Sequence, residues 1–158
     1  MSSYQFELAF RQYVAAFDDT NDLSPAEFKT LFDKVHHKDL TYRLTDEKVI
    51  GKDGIMHLKA RTSLTREEIF ELHSKKYASG QKVTLIRFRK IGMDCIDIKV
   101  RLVIGEEETI VRVVNTISDG KVALSQEMDE SFPLKVVGAK CAHTWYKWKE
   151  VGTYQTNM

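Results

Sequence analysis

KVTLIRFRKIG (82–92), MDCIDIKVRLVIG (93–105), EEETIVRVVNTIS (106–118) and DGKVALSQEMD (119–129) are consecutive strand-like segments joined by short turns. In the second, Ile96, Ile98, Val100, Leu102 and Ile104 alternate with Asp97, Lys99, Arg101 and Val103. Period-two alternation sends the two sets to opposite faces of a strand, and branched apolar side chains favour that geometry. Gly105 and the three glutamates after it mark a charged turn, and residues 109–117 carry β-branched residues on both faces, as a central strand does. Ser118-Asp119-Gly120-Lys121 holds the Asp-Gly pair of a tight hairpin, where positive φ is required. Connections this short force antiparallel neighbours, so the stretch predicts a curved antiparallel meander with helices covering one face. Asp97, Lys99, Arg101, Arg112 and Glu127 are assigned to the other face. That face reads as solvated, with cross-strand ion pairs; a polar subunit interface is the competing reading.

The covering helices lie upstream. Phe6, Phe10, Tyr13, Val14 and Phe17 recur at three- and four-residue steps and predict a helix over 4–18. Ser24-Pro25-Ala26-Glu27 opens a second helix, with a capping serine, proline at the first helical position and a glutamate to complete a capping box. Phe28, Leu31, Phe32 and Val35 continue it. Leu40 to Leu44 reads as a short strand that joins the sheet, and 45–61 as a loop holding Gly51, Gly54 and His57. Thr65-Arg66-Glu67-Glu68 is a second capping box, opening a helix whose buried stripe is Ile69, Leu72, His73 and Tyr77 and which ends at Ser79-Gly80.

The 158 residues suit one domain, and 24 basic against 23 acidic residues leave a net charge of +1. This balance disfavours a nucleic-acid or anionic-membrane coat. No apolar run approaches the ~20 residues that span a bilayer. The N-terminus lacks the basic and apolar regions of a secretory signal. Cys95 and Cys141 are far apart and form no CxxC pattern, which points to reduced thiols and a cytoplasmic protein. Residues 1–130 are expected to form the domain. Residues 131–158, with Trp145, Tyr146, Trp148 and four lysines against one glutamate, are expected to be an extension packing on the domain or dimer, its last residues flexible. Aromatic and basic residues side by side also suit single-stranded nucleic acid, but packing is the preferred reading.

The adjacent His36 and His37 diverge by ~100° on a helix and do not share a metal ion; no HxxxH or HExxH spacing occurs, so neither metal nor cofactor is expected. No glycine-rich phosphate loop or nucleophile triad stands out either.

The order of helix, helix, short strand, loop, helix and long antiparallel strands resembles the nuclear-transport-factor-2-like superfamily, which includes ketosteroid isomerases, scytalone dehydratase and SnoaL-like cyclases. The resemblance rests on 11–18 (RQYVAAFD), on Phe32 to Tyr42 with Asp39 at the strand entry, and on the Ser118–Val122 hairpin, and it covers roughly 4–130. It implies an α+β cone, a strongly curved sheet wrapped around three helices, with an apolar cavity inside and homodimerisation through the open sheet face. The family's isomerases use a base aspartate and an oxyanion hole of tyrosine plus protonated aspartic acid. Tyr13 matches the tyrosine, but the base position falls on Leu44 and the second acid near Ile110 to Val113, where no carboxylate stands. Tyr13, Asp46, His57 and His73 remain the catalytic candidates, with Asp46 as a displaced base. Tyr13, Phe17, Tyr42, His57 and Asn115 are the ligand-binding candidates. His73 also reads as a satisfied core histidine, and Asn115 either holds a strand crossing or points into the cavity. The expected function is binding of a small apolar molecule. The alternatives are an isomerase, dehydratase or cyclase using the same cavity, and a dimerisation or partner-binding module.

Overall fold

The computed structural model describes residues 3–18, 22–45, 47–50, 56–59 and 62–128, with the side chains of 3, 45, 47–50 and 56–59 excepted. The expectations for 131–158 and for Asp46 therefore fall outside the described residues, as does the side chain of His57.

The described elements run α1 (Ser3–Ala15), α2 (Pro25–Val35), β1 (His36–Thr45), β2 (Glu47–Ile50), β3 (Met56–Lys59), β4 (Thr62–Thr65), α3 (Arg66–Ala78), β5 (Lys82–Ile91), β6 (Cys95–Ile104), β7 (Glu107–Ser118) and β8 (Lys121–Met128). Both capping boxes form: Ser24 accepts from the Glu27 amide and Thr65 from the Glu68 amide, while each glutamate reaches back to its cap. These bonds satisfy amide donors that a helix start otherwise leaves open. Asp119 at φ 54° and Gly120 at φ 74° make the tight β7–β8 turn, the positive φ that the Asp-Gly pair implied.

The six-stranded sheet has the order β4-β1-β8-β7-β6-β5. β5 to β8 form the antiparallel meander, and β4 pairs antiparallel with β1, but β1 runs parallel to β8, so the sheet is mixed. Register shifts interrupt the β1/β8, β5/β6 and β7/β8 ladders, and such irregularities bend strands and increase their twist. The sheet stays open, with β4 and β5 as its edges.

Two local readings change. β1 begins at His36 rather than Leu40, because the backbone turns extended at the α2 cap (φ −106°, ψ 127°) and continues straight into the strand. The stretch 45–61 is not simply a loop: β2 and β3 form a separate antiparallel hairpin. Four-residue strands are too short to show a period.

The core lies between helices and sheet. Phe6, Tyr13, Phe17, Phe28, Phe32, Val35 and Ile69 pack with Leu40, Ile96, Ile98 and Val122. Of the expected α3 stripe, only Ile69 is fully buried; Leu72 is 40% exposed.

The opposite sheet face carries the expected cross-strand ion pairs, but the carboxylate that three of them share is buried rather than solvated. Asp97 is fully buried and accepts from Arg89 (2.7 Å), Arg87 (3.2 Å) and Arg112 (3.2 Å), and Arg112 is itself buried. Farther along, Arg101 and Glu108 keep an exposed pair at 3.2 Å. Glu127 does not belong to this face. It stands opposite Val113, which stands opposite Ile98, so register places it on the helix side.

Candidate functional site

A cavity of about 490 Å3 lies between the helices and the concave sheet face. Ile98, Val100, Leu102, Val111 and Val113 form its floor because successive inward positions of β6 and β7 are apolar. The other wall comes from α1 and α3, including Phe10, Val14, Phe17, Ile69 and Leu72.

Polar groups enter this lining in hydrogen-bonded pairs. Tyr13 on α1 and His73 on α3 meet, hydroxyl to Nδ1, at 2.7 Å. On β1, Tyr42 donates its hydroxyl to Glu127 on β8 at 2.6 Å. Ser125 donates to the Asn115 side-chain carbonyl at 2.7 Å, and the Asn115 amide donates to the Val113 carbonyl at 3.2 Å. His36 lines the cavity at the α2–β1 junction; its Nδ1 donates to the Phe32 carbonyl at 2.9 Å, which leaves Nε2 as an acceptor. Lys76 and Glu107 complete the charged lining.

Electrostatics make the histidines neutral. Burial lowers the His36 pKa to about 3, helped by neighbouring His73 and Arg66. Burial, with Lys76 nearby, lowers that of His73 to about 4. Burial raises Tyr13, and burial together with Glu127 raises Tyr42, so both phenols stay protonated. The wall thus offers neutral donors and acceptors beside the Glu127 carboxyl.

Tyr13, Phe17, Tyr42, His73 and Asn115 all line this one cavity. His57 lies on β3 of the separate hairpin. Leu44, Val111 and Val113, where the isomerase acids were sought, present apolar side chains. Asn115 lines the cavity and also bonds its cross-strand partner Ser125. His73 is both hydrogen-bonded and cavity-lining.

Sequence reasoning missed Glu127, Ser125 and the cavity role of His36. The Asp-Gly hairpin ties β8 to β7, but counting back from the turn would set Leu124 and Gln126 opposite Asn115 and Val113; the register shift between Thr116 and Ile117 turns Ser125 and Glu127 inward instead. Among the described residues no group of three His, Cys, Asp or Glu is placed to hold a metal ion. No described helix is long and apolar enough to cross a membrane.

No family model matches the sequence, and no curated protein matches it significantly. Solved structures do match in shape. A de novo designed protein of the nuclear transport factor 2 fold superposes with a TM-score of 0.51 at 14% identity, covering 82% of this chain and 88% of that one. An LEH-like epoxide hydrolase from M. tuberculosis gives 0.51 at 16% identity, covering 80% and 79%. A protein of the SnoaL-like family from Agrobacterium tumefaciens gives 0.51 at 11% identity, covering 79% and 97%. At these identities the likeness is one of fold: an α+β, nuclear-transport-factor-2-like architecture, as the order of elements implied.

Proposed function

We propose that the protein binds a small, largely apolar molecule in the cavity between helices and sheet, held by hydrogen bonds to Tyr13, Tyr42 and Asn115. The cavity carries this reading. Its volume, about 490 Å3, falls in the range of small-molecule sites, and its apolar floor and few convergent polar groups are the usual make-up of one. Aromatic residues pack around this space without filling it. With Glu127 in the wall and both imidazoles neutral, the site favours a neutral ligand bearing a hydroxyl or carbonyl over an anion.

The test is thermal unfolding with neutral probes: a steroid enone, a monoterpene alcohol and a long-chain alcohol. A probe at one hundred times its Kd adds about 2.7 kcal/mol and raises Tm by several degrees. Val111→Trp, which fills the floor, should abolish that shift. Absence of any shift across these probes, or a shift unaffected by the filled cavity, overturns the reading.

A second reading is proton-transfer chemistry in the same cavity. It is favoured because titratable pairs, Tyr42–Glu127 and Tyr13–His73, line one space. Glu127 would act as base and the Tyr13–His73 pair as donor to a substrate oxygen. Deuterium exchange beside the carbonyl of a bound enone in D2O, lost in Glu127→Gln, would support it. Exchange at the uncatalysed rate in the wild type would reject it.

A further inference from the structure

Most polar groups of the cavity wall spend their hydrogen bonds on one another. Tyr42 gives its one O–H to Glu127, and Ser125 gives its own to Asn115. His36 differs. The Nδ1 bond to the Phe32 carbonyl is the one hydrogen bond its imidazole makes among the described residues. That bond fixes the tautomer, and a stack on the Phe32 ring, with centroids 3.9 Å apart, fixes the plane of the imidazole. Nε2 is therefore a fixed acceptor on a residue that is only 7% exposed and lines the cavity.

Tyr13 and His73 stand beside it. Ring centroids lie 5.4 Å apart for Tyr13 and His36, 6.0 Å for His36 and His73, and 5.9 Å for Tyr13 and His73, so the three rings form one cluster in the wall. A phenol and a neutral imidazole together hold one O–H and one N–H. The bond between Tyr13 and His73, at 2.7 Å, uses one of these hydrogens. The other is left over, on the Tyr13 oxygen or on His73 Nε2 according to which partner donates. The cluster thus holds an acceptor and a donor together. A hydroxyl group both donates and accepts, so it satisfies the two at once. A carbonyl only accepts; bound here it displaces water from His36 Nε2 and leaves that nitrogen without a partner. Burial keeps both imidazoles neutral, so the acceptor persists at neutral pH.

We propose that the ligand of this cavity is an alcohol: a small apolar molecule whose hydroxyl seats against the Tyr13–His36–His73 cluster, donating to His36 Nε2 and accepting from the Tyr13–His73 pair. The inference rests on the cavity being the ligand site, and it selects the hydroxyl over the carbonyl that the cavity alone leaves open. His36 is the residue that sets this selectivity.

The test measures dissociation constants by calorimetry on the full chain, with alcohol and ketone pairs that share one skeleton: borneol and camphor, menthol and menthone, cyclododecanol and cyclododecanone. In every pair that binds, the alcohol should bind at least about tenfold tighter, because the ketone leaves a buried acceptor unpaired. His36→Asn keeps a side-chain N–H near the Nδ1 position and removes Nε2, so it should bring alcohol and ketone within about twofold of each other while the ketone affinity holds. In the wild type, the His36 Nε2 nitrogen resonance should move upfield on addition of a binding alcohol and stay in place with its ketone, a readout that needs no substitution. Equal affinities for alcohol and ketone overturn the inference and leave the binding cavity in force. So does an alcohol preference that persists in folded His36→Asn, or an Nε2 resonance that the bound alcohol leaves unmoved; either would place the hydroxyl at another acceptor such as Glu127. No binding by any of these probes overturns the cavity reading, and this inference with it.

Discussion

Tyr42 and Glu127 are joined across the parallel seam of the sheet, the hydroxyl of one donating to the carboxylate of the other at 2.6 Å. Tyr42 stands opposite Ser125 and Leu44 opposite Glu127, so the bond is a diagonal between neighbouring strands. It puts a charge-assisted hydrogen bond in the cavity wall. Tyr42→Phe should lower stability by about 1–3 kcal/mol in urea titrations, the usual cost of removing a partner from a charged, partly buried group. Glu127→Gln, which still accepts from Tyr42, should lose less. An unchanged urea midpoint in Tyr42→Phe would show that the bond contributes nothing.

Acid should weaken the fold through two histidines. Both carry folded-state pKa values below the ordinary 6.5, about 3 for His36 and about 4 for His73, chiefly through burial. Between those values and 6.5 the unfolded chain binds more protons. The histidine contribution is therefore complete above pH 6.5 and is lost progressively as pH falls toward 4 and then 3. Urea midpoints measured from pH 7.5 to pH 4.5 should fall, and His73→Gln should flatten the slope. A profile unaltered by that substitution would remove His73 from the account.

Asp97 is the buried centre of three arginines, of which Arg112 is itself buried. Asp97→Ala would leave Arg112, almost wholly buried, without its carboxylate. Removing one partner of a buried ion pair costs about 3–5 kcal/mol, far more than an exposed pair is worth. Arg101→Ala, at the exposed Arg101–Glu108 pair, should cost under about 1 kcal/mol. Equal effects of the two substitutions would contradict the burial difference.

The helix starts give a local control. Ser24→Ala removes the acceptor for the Glu27 amide and should cost about 1 kcal/mol without altering the cavity. Thr65→Ala should behave alike at α3. A change in probe binding without a change in stability would mean that the caps position the site.

Much of this was legible in the sequence because the signals were local. The alternation of β6, the Asp-Gly turn and the two capping boxes each need only a few neighbouring residues, and each specifies one geometry. Tyr13, Phe17, Tyr42 and Asn115 were found because helix and strand periodicity marks which side chains turn inward. What escaped depends on residues far apart in the chain. The parallel match of β1 to β8 joins segments about eighty residues apart, and no local pattern encodes it. The face of Glu127 follows from register with β7, not from its own neighbours. The buried charge of Asp97 was misread as surface because alternation tells two faces apart but does not say whether the polar one meets water.

The parallel seam sets an order of assembly. β1 is made early in synthesis and β8 late, yet they are neighbours at the middle of the sheet. On the ribosome, β1 waits with one edge unmatched until residues 121–128 emerge, and closing so long a loop is slow. The Tyr42–Glu127 side of the cavity is therefore finished last. A nascent chain stopped before β8 holds the helices and two unjoined pieces of sheet, β4-β1 and β7-β6-β5, but has no complete binding chamber.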